Sequence, residues 1–140
     1  MKDITIKITG KNSLDDQEDT IEFVTDAKVY EKSEGIYITY EESELCGMPG
    51  YTTILKIAGE KIKLARFGLN KEKTTEMEFE NGKRYTNHYA TDFGVFDIEI
   101  LTQNVNNTIT GEGTGKLELD YYISLNGLGD AHNYLSLEVM

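Results

Sequence analysis

Hydrophobic and polar residues alternate with a period of two along most of the chain. Ile4, Ile6 and Ile8 alternate with threonine and lysine, and the segment 117–125 continues the same alternation over a longer stretch. Successive side chains of a β-strand point to opposite faces, so each such segment has one face for a core and one for water. No stretch keeps a helical period. The pattern therefore predicts an all-β protein with antiparallel, half-buried strands.

Ten segments qualify as strands, and short connections between them favour a meander. They lie at roughly 3–9, 18–32, 36–42, 51–58, 61–67, 73–80, 83–90, 95–104, 116–126 and 132–139. So many strands in one 140-residue domain would expose edges unless the sheet closes on itself. We therefore predict a single domain over residues 1–140, a closed or nearly closed antiparallel up-and-down barrel of about eight to ten strands. A two-sheet sandwich is the alternative.

The turn at Gly59-Glu60 fixes which residues share a face of the sheet. A two-residue turn with glycine in its first position pairs the apolar residues of 51–58 with those of 61–67. The same register carries Arg66 to the inward face, opposite Thr53.

Two further hairpins are predicted to close with three-residue loops that align apolar residues. Loop 33–35 would pair Tyr30 with Ile38. Loop 80–82 would pair Met77 with Tyr85, with its glycine in the left-handed conformation.

An inward Arg66 is the most informative single residue, because a buried guanidinium needs an acceptor. Glu42 continues the inward phase of Tyr40 and could be that acceptor. Arg66 could then anchor an anionic ligand in the barrel interior, the lumen, with Tyr40, Glu42 and Tyr89 supplying further polar contacts. Two structural alternatives stay open: an ion pair that plugs one end of the barrel, or a bulge near 65–67 that turns Arg66 out to water.

Motifs that resemble catalytic or metal sites fail on their context. The glycine-rich segment 111–116 lacks the first glycine and the serine or threonine of a phosphate loop, and a strand follows it. Cys46, the only cysteine, has glutamates nearby that disfavour thiolate. His88 and His132 are too few for a histidine-based metal site, and the acidic run 15–19 lacks the glycine of a calcium loop. No catalytic residue, metal site or cofactor is predicted.

The charge balance limits the choice of partners and of compartment. The formal net charge is −11, which disfavours nucleic acid and anionic membrane surfaces. The alternating first residues lack the apolar core of a signal peptide, and no apolar run approaches the ~20 residues that span a bilayer. We expect a cytoplasmic protein.

Motifs spread over nearly the whole chain resemble those of the YwiB-like family of small bacterial proteins. The motifs are Tyr40-x-Glu42, Gly47-Met48-x-Gly50, Thr53-x-Leu55-x-Ile57, Arg66-x-Gly68, Met77-x-Phe79-x-x-Gly82, Tyr89-x-Thr91-x-x-Gly94, Thr102, Leu117-x-Leu119 and Leu125-Asn126-Gly127. The resemblance implies a calycin-like (lipocalin-like) β-barrel in a bacterial cytosol. It implies no activity, because that family is described as having no known function.

Three classes of function follow from these observations. The first is a non-enzymatic barrel that binds a small, mainly apolar ligand in its lumen. The second is an interaction or structural module with a side-chain-filled barrel, which acts through rim loops or an outer face bearing Tyr37, Tyr122 and Tyr134, and a homodimer is possible. An enzyme is third, because no nucleophile–base or carboxylate pair stands at usable spacing, although distant residues can converge in a barrel.

Overall fold

Ten β-strands account for most of the chain. The computed structural model describes residues 1–14, 17–41, 50–68, 70, 72–91, 94–125 and 130–140. The strands are β1 (Lys2–Leu14), β2 (Gln17–Lys32), β3 (Gly35–Glu41), β4 (Thr52–Ala58), β5 (Lys61–Phe67), β6 (Lys73–Glu80), β7 (Arg84–Thr91), β8 (Gly94–Asn107), β9 (Lys116–Leu125) and β10 (Asp130–Val139). Within these ranges no helix is long and apolar enough to cross a membrane.

The strands form one closed antiparallel barrel in which each strand pairs with the next along the chain. β1 also pairs with β10, from Ile6 opposite Val139 to Ser13 opposite His132, and this pairing closes the ring. The predicted up-and-down barrel is therefore confirmed, and the two-sheet sandwich is excluded.

Side chains that alternate inward along each strand fill much of the lumen. The largest of those with less than 2% exposure are Phe79, Ile6, Ile38, Leu55, Ile57, Ile62, Leu64, Ile100, Leu117, Leu119, Leu137 and Val29. On β8 an extra residue, Gln103, interrupts the register with β9. This bulge changes the phase of the strand, so that Ile100 and Thr102 face inward before it and Val105 after it.

The two ends of the barrel differ. At one, the turn end, lie the turns between β2 and β3, β4 and β5, and β6 and β7, and the loop 108–115 between β8 and β9. Ile109 of this loop is buried, and Gly115 accepts a hydrogen bond from the backbone N–H of Val139 at 3.0 Å. Lys2 Nζ donates to the carbonyl of Glu112 at 2.7 Å. The loop therefore caps the turn end and ties both chain termini to it.

The register predicted at Gly59-Glu60 is confirmed, and the one predicted at 33–35 is wrong. Across the first turn Ile57 faces Ile62, as expected. Across the second Tyr30 faces Tyr37, because a two-residue turn brings buried residues of β2 and β3 together and leaves both tyrosines on the outer face. There the two rings stack at 5.1 Å.

The hairpin between β6 and β7 also departs from the predicted register. The pairing places Thr75 opposite Tyr89, two residues from the position that pairs Met77 with Tyr85. The carbonyl of Glu80 accepts the N–H of Lys83 to close the turn, and Gly82 takes the predicted left-handed conformation with φ of 75°. A shift of two residues keeps every side chain on its predicted face.

An ion network ties β5 to β6 on the outer surface. Glu76 accepts hydrogen bonds from Lys63 and Lys73, each at 2.7 Å. The hydrogen bond from Lys63, followed by that from Lys73, lowers the pKa of Glu76 below its ordinary value. The bond to Glu76 raises the pKa of Lys63 in turn.

Substituting Gly115→Ala should destabilise the protein by about 2 kcal/mol or more. Gly115 has φ of 111°, and a Cβ there would lie 2.1 Å from the carbonyl oxygen of Thr108. Gly10→Ala is the control, because nothing lies within 4 Å of that Cβ and alanine suits a strand at least as well as glycine. Urea unfolding measures the stability of both variants, and equal midpoints of unfolding would contradict the capping role of the loop.

Substituting Glu76→Gln should lower the free energy of unfolding at neutral pH by less than about 1 kcal/mol, because both lysines are partly solvated. The folded-state pKa of Glu76 is depressed, so its contribution is present above the unfolded glutamate pKa of about 4.3. This stabilising contribution is lost as the pH falls through the lower pKa that Glu76 has in the folded protein. Urea unfolding from pH 7 to pH 3 should show the variant and wild type converging in acid, whereas Glu60→Gln, on an exposed turn, should show no such convergence.

Candidate functional site

Arg66 lies on the inward face of β5. Its neighbours across the sheet are Thr53 on β4 and Thr75 on β6, which are 0% and 2% exposed. The register irregularity between β5 and β6 falls after Arg66, and the additional residue, Thr74, belongs to β6. The bulge considered as a way of turning Arg66 to water therefore leaves it in the inward phase.

Four inward polar residues occupy adjacent positions on neighbouring strands. Tyr40 faces Thr53, Thr53 faces Arg66, and Arg66 faces Thr75. Directly opposed residues have Cβ atoms about 5 Å apart, so these side chains form a continuous row, here called the polar belt. Tyr40 is 7% exposed, Arg66 is half-buried, and each of Tyr40, Thr53 and Arg66 has interaction partners of its own.

The other two predicted ligand contacts are placed only in part. The backbone of Tyr89 lies opposite Thr75, in line with the polar belt, while its side chain lies outside the described structure. Glu42 also lies outside the described residues, directly after Glu41 at the end of β3. The structure thus brings Arg66 and Tyr40 together and extends the row to the backbone of Tyr89.

Tyr121 is a lumen residue that sequence reasoning did not include among the candidates. It projects inward from β9, and its ring meets the ring of Phe79 on β6 edge-on at 4.7 Å. Burial raises the pKa of the Tyr121 hydroxyl, and the positive charge of Arg66 opposes that rise. The tyrosine therefore spans the lumen from β9 towards the polar belt. Its phase with Leu117 and Leu119 was the signal that could have identified it.

Two buried side-chain oxygens on β7 and β8 have no hydrogen-bond partner among the described residues. They are Oγ1 of Thr102, a residue with 0% exposure, and Oδ1 of Asn87. Thr102 lies directly across the sheet from Tyr121. Buried polar groups in folded proteins are nearly always hydrogen-bonded, to protein or to water. An inward hydroxyl without a protein partner marks a place where water or a ligand can bond.

A cleft on the barrel wall borders the polar belt at β2 and β3. β2 pairs with β3 only over Ala27–Lys32, and in the described structure residues 17–26 of β2 pair with β1 alone. The cleft, of about 1100 Å³, lies along β1, β2 and β3 and reaches the chain termini at the turn end. Residues of both faces line it, including the inward Ala27 and Tyr40 and the outward Asp26 and Glu41. The cleft therefore borders the Tyr40 end of the polar belt.

The three outward tyrosines lie apart on the barrel, and each contacts a neighbouring side chain. Tyr37 of β3 stacks on Tyr30, and β3 is four strands from β9 around the ring. Tyr122 stacks on His132 at 4.7 Å, and the hydroxyl of Tyr134 donates to Glu118 at 2.5 Å. They form no common surface.

Elsewhere, His132 Nε2 lies 2.5 Å from Asp120 Oδ1 on the outer face. The side chains of His88 and Cys46 lie outside the described structure. Within the described ranges, no three histidine, cysteine, aspartate or glutamate residues are grouped to hold a metal ion. The polar belt with Tyr121 and Thr102 is therefore the candidate site.

Comparison with known proteins identifies a family but no activity. Residues 6–137 match the model of a family described as a domain of unknown function (DUF1934), and the chain belongs to that family. The chain is also similar to a solved structure, the ywiB protein from Bacillus subtilis. The two share 20% identity, with 99% of this chain and 92% of that chain covered and a TM-score of 0.78, which shows a common fold. No curated protein matches the chain.

Substituting Thr102→Val should leave the free energy of unfolding unchanged or raise it by about 1 kcal/mol, because the change removes a buried hydroxyl without a protein partner and keeps its shape. Thr53→Val is the matched control: Thr53 is equally buried but does interact with another group, so the same change should destabilise. Urea unfolding compares the two variants. Equal destabilisation would show that the Thr102 hydroxyl is bonded within the protein.

Proposed function

We propose that this member of the DUF1934 family is a non-enzymatic binding barrel, which takes one small ligand at the polar belt. The observation that carries the proposal is the row of inward polar side chains that forms the polar belt, together with the partly buried Tyr121 of β9. Polar groups inside a barrel cost stability unless they are bonded, so an interior position that carries several of them is where the polar group of a ligand would bind.

The packing of the lumen limits the size of such a ligand. Towards the turn end, Ile6, Val29, Leu117 and Leu137 are almost completely buried, and Ile109 of the capping loop is 6% exposed. That part is filled by side chains. A ligand is therefore confined to the region between the polar belt and the cleft.

The chemistry of the site suggests a mainly apolar molecule that carries one acidic or acceptor group. Phe79 and the ring of Tyr121 offer apolar surface. The positive charge of Arg66 and the hydroxyls of Tyr121 and Thr102 would orient the acceptor group. Tyr40 would contact the ligand from the cleft, and Glu42 and Tyr89 are proposed as further contacts, because one follows Glu41 at the cleft and the other lies in line with the belt.

The setting that we propose is the bacterial cytoplasm. The acidic net charge of −11 keeps such a protein dispersed among nucleic acids and anionic membranes. A calycin-type role, in which a barrel holds one small molecule, suits a closed up-and-down barrel.

The proposal is tested with anilinonaphthalene sulfonate, an apolar anion whose fluorescence rises in an apolar site. Wild-type protein should bind it at one saturable site, and Arg66→Met should weaken binding about tenfold. Arg84→Met is the matched control, because Arg84 lies on the outer face, where it pairs with Glu99. This variant should bind the probe as wild type does.

Arg66→Lys keeps the charge and should bind with intermediate affinity, which separates loss of charge from loss of fold. Urea unfolding establishes that each variant is folded at the assay temperature, and Tyr121→Phe, which removes only a hydroxyl, is the substitute should Arg66→Met unfold. Equal binding by the Arg66 and Arg84 variants, or no saturable binding by folded wild type, would overturn the proposal.

A further inference from the structure

We infer that a pocket on the outer face of the barrel, here called the lysine pocket, binds a tetrahedral oxyanion: the phosphate group of a small ester or the free phosphate ion. The pocket has a volume of about 220 Å³ and lies where β1, β10 and β9 run side by side. Three lysines from two of these strands line it, namely Lys7, Lys11 and Lys116. The inference concerns the outer wall and is independent of the ligand proposed for the lumen.

The alternation of β1 and its register with β10 bring the polar groups of the lysine pocket together. Lys7, Thr9 and Lys11 are successive outward residues of β1, because Ile8 between them is buried on the inner face. Thr9 lies directly opposite Ser136 of β10, so the Cβ atoms of these two hydroxyl-bearing residues are about 5 Å apart. Ser136 is only 7% exposed although it faces outward, which places it at the floor of the pocket. Two hydroxyl groups therefore lie between the ammonium groups.

The ammonium group of Lys11 is available to a ligand. It lies 5.9 Å from the centroid of the Tyr134 ring, and among the described residues it forms no ion pair. The Tyr134 hydroxyl donates to Glu118 at 2.5 Å, which holds the ring in place beside the ammonium. A lysine ammonium has three N–H donors, and its attraction to an aromatic ring uses none of them in a conventional hydrogen bond. Lys11 therefore keeps donors for an oxyanion.

Three carboxylates surround the lysine pocket and compete with any anion. Lys7 pairs with Glu22 at 3.3 Å, and Lys116 pairs with Glu118 at 3.8 Å. Exposed ion pairs of this kind contribute little, so both lysines can turn towards a phosphate group, which offers several acceptor oxygens. Glu138 lines the pocket and lies opposite both Lys7 and Lys116 across the sheet. Its carboxylate is therefore the like charge that opposes a bound oxyanion most directly.

The net charge of −11 selects a small anion rather than a long one. At physiological ionic strength, exposed charges more than about 8 Å apart are largely screened from each other. The local field is therefore set by the pocket, whose described lining carries three lysines and one glutamate. A single phosphate group fits within this positive area. A nucleic acid or an anionic membrane would extend beyond it and meet the acidic surface around it.

The binding experiment titrates the full-length protein with sodium phosphate, which replaces sodium chloride at constant ionic strength. In NMR spectra the amide signals of residues 7–11 and 134–138 should shift along one saturable curve, while those of residues 59–63 on the β4–β5 hairpin should not. Unsaturable shifts, or equal shifts in the two regions, would overturn the inference. Glycerol phosphate is titrated in parallel: tighter binding than that of free phosphate identifies an ester as the ligand, and weaker binding identifies the free ion.

Lysine variants test whether the anion binds in this pocket. Lys11→Met should weaken phosphate binding about tenfold, because it removes the unpaired cation. Lys61→Met is the matched control: the ammonium of Lys61 also lies 5.9 Å from a tyrosine ring centroid, that of Tyr85, but β5 is four strands from β1 around the ring. This control should bind phosphate as wild type does. Equal affinities of the two variants would overturn the site.

A gain of affinity provides a second test that loss of folding cannot imitate. Glu138→Gln should strengthen phosphate binding about threefold or more, because it removes the carboxylate that lies within the pocket. Glu60→Gln changes the net charge equally on an exposed turn and should leave the affinity unchanged. No gain with Glu138→Gln, or the same gain with both variants, would contradict binding at the lysine pocket.

Discussion

The pairing of β1 with β10 is the contact on which the rest of the structure depends. It joins the first and last strands of the chain along eight residue pairs and converts a meander into a ring. Once the ring is closed, every strand must keep one face inside and one outside, and a register error of one residue would bury polar side chains along a whole strand. The bulges at Gln103 and Thr74 are compatible with closure because each adds a single residue where the strand would otherwise lose its alignment.

Closure divides the interior into two regions with different chemistry. Towards the turn end, aliphatic side chains and the capping loop exclude solvent and supply most of the apolar burial. Around the polar belt the same inward positions carry threonine, tyrosine and arginine, which stabilise a fold only when they are bonded. A protein selected for stability alone would carry aliphatic residues at such positions, as it does at Ile100 two residues before Thr102. The polar interior is therefore where a function is to be sought in this DUF1934 member.

The strands of the barrel wall differ in length, and the difference is greatest between the neighbours β2 and β3. Among the described residues β2 is the longest strand with 16 residues and its neighbour β3 has 7, and the cleft lies beside their pairing at Ala27 and Tyr40.

The sequence by itself determined the all-β class and the antiparallel order of the strands, and it predicted the register that carries Arg66 inward, because alternation with a period of two and the tight turn at Gly59-Glu60 are local properties. It did not determine the loop at 33–35, where the burial of Val29 and Ile38 outweighed a local preference for a glycine bulge. The contact of Tyr121 with Phe79, the unpaired hydroxyl of Thr102 and the cleft beside Tyr40 were decided only by tertiary structure. Each depends on which strands face one another in a closed barrel, and side chains as far apart in the chain as Phe79 and Tyr121 carry no local signal of their contact.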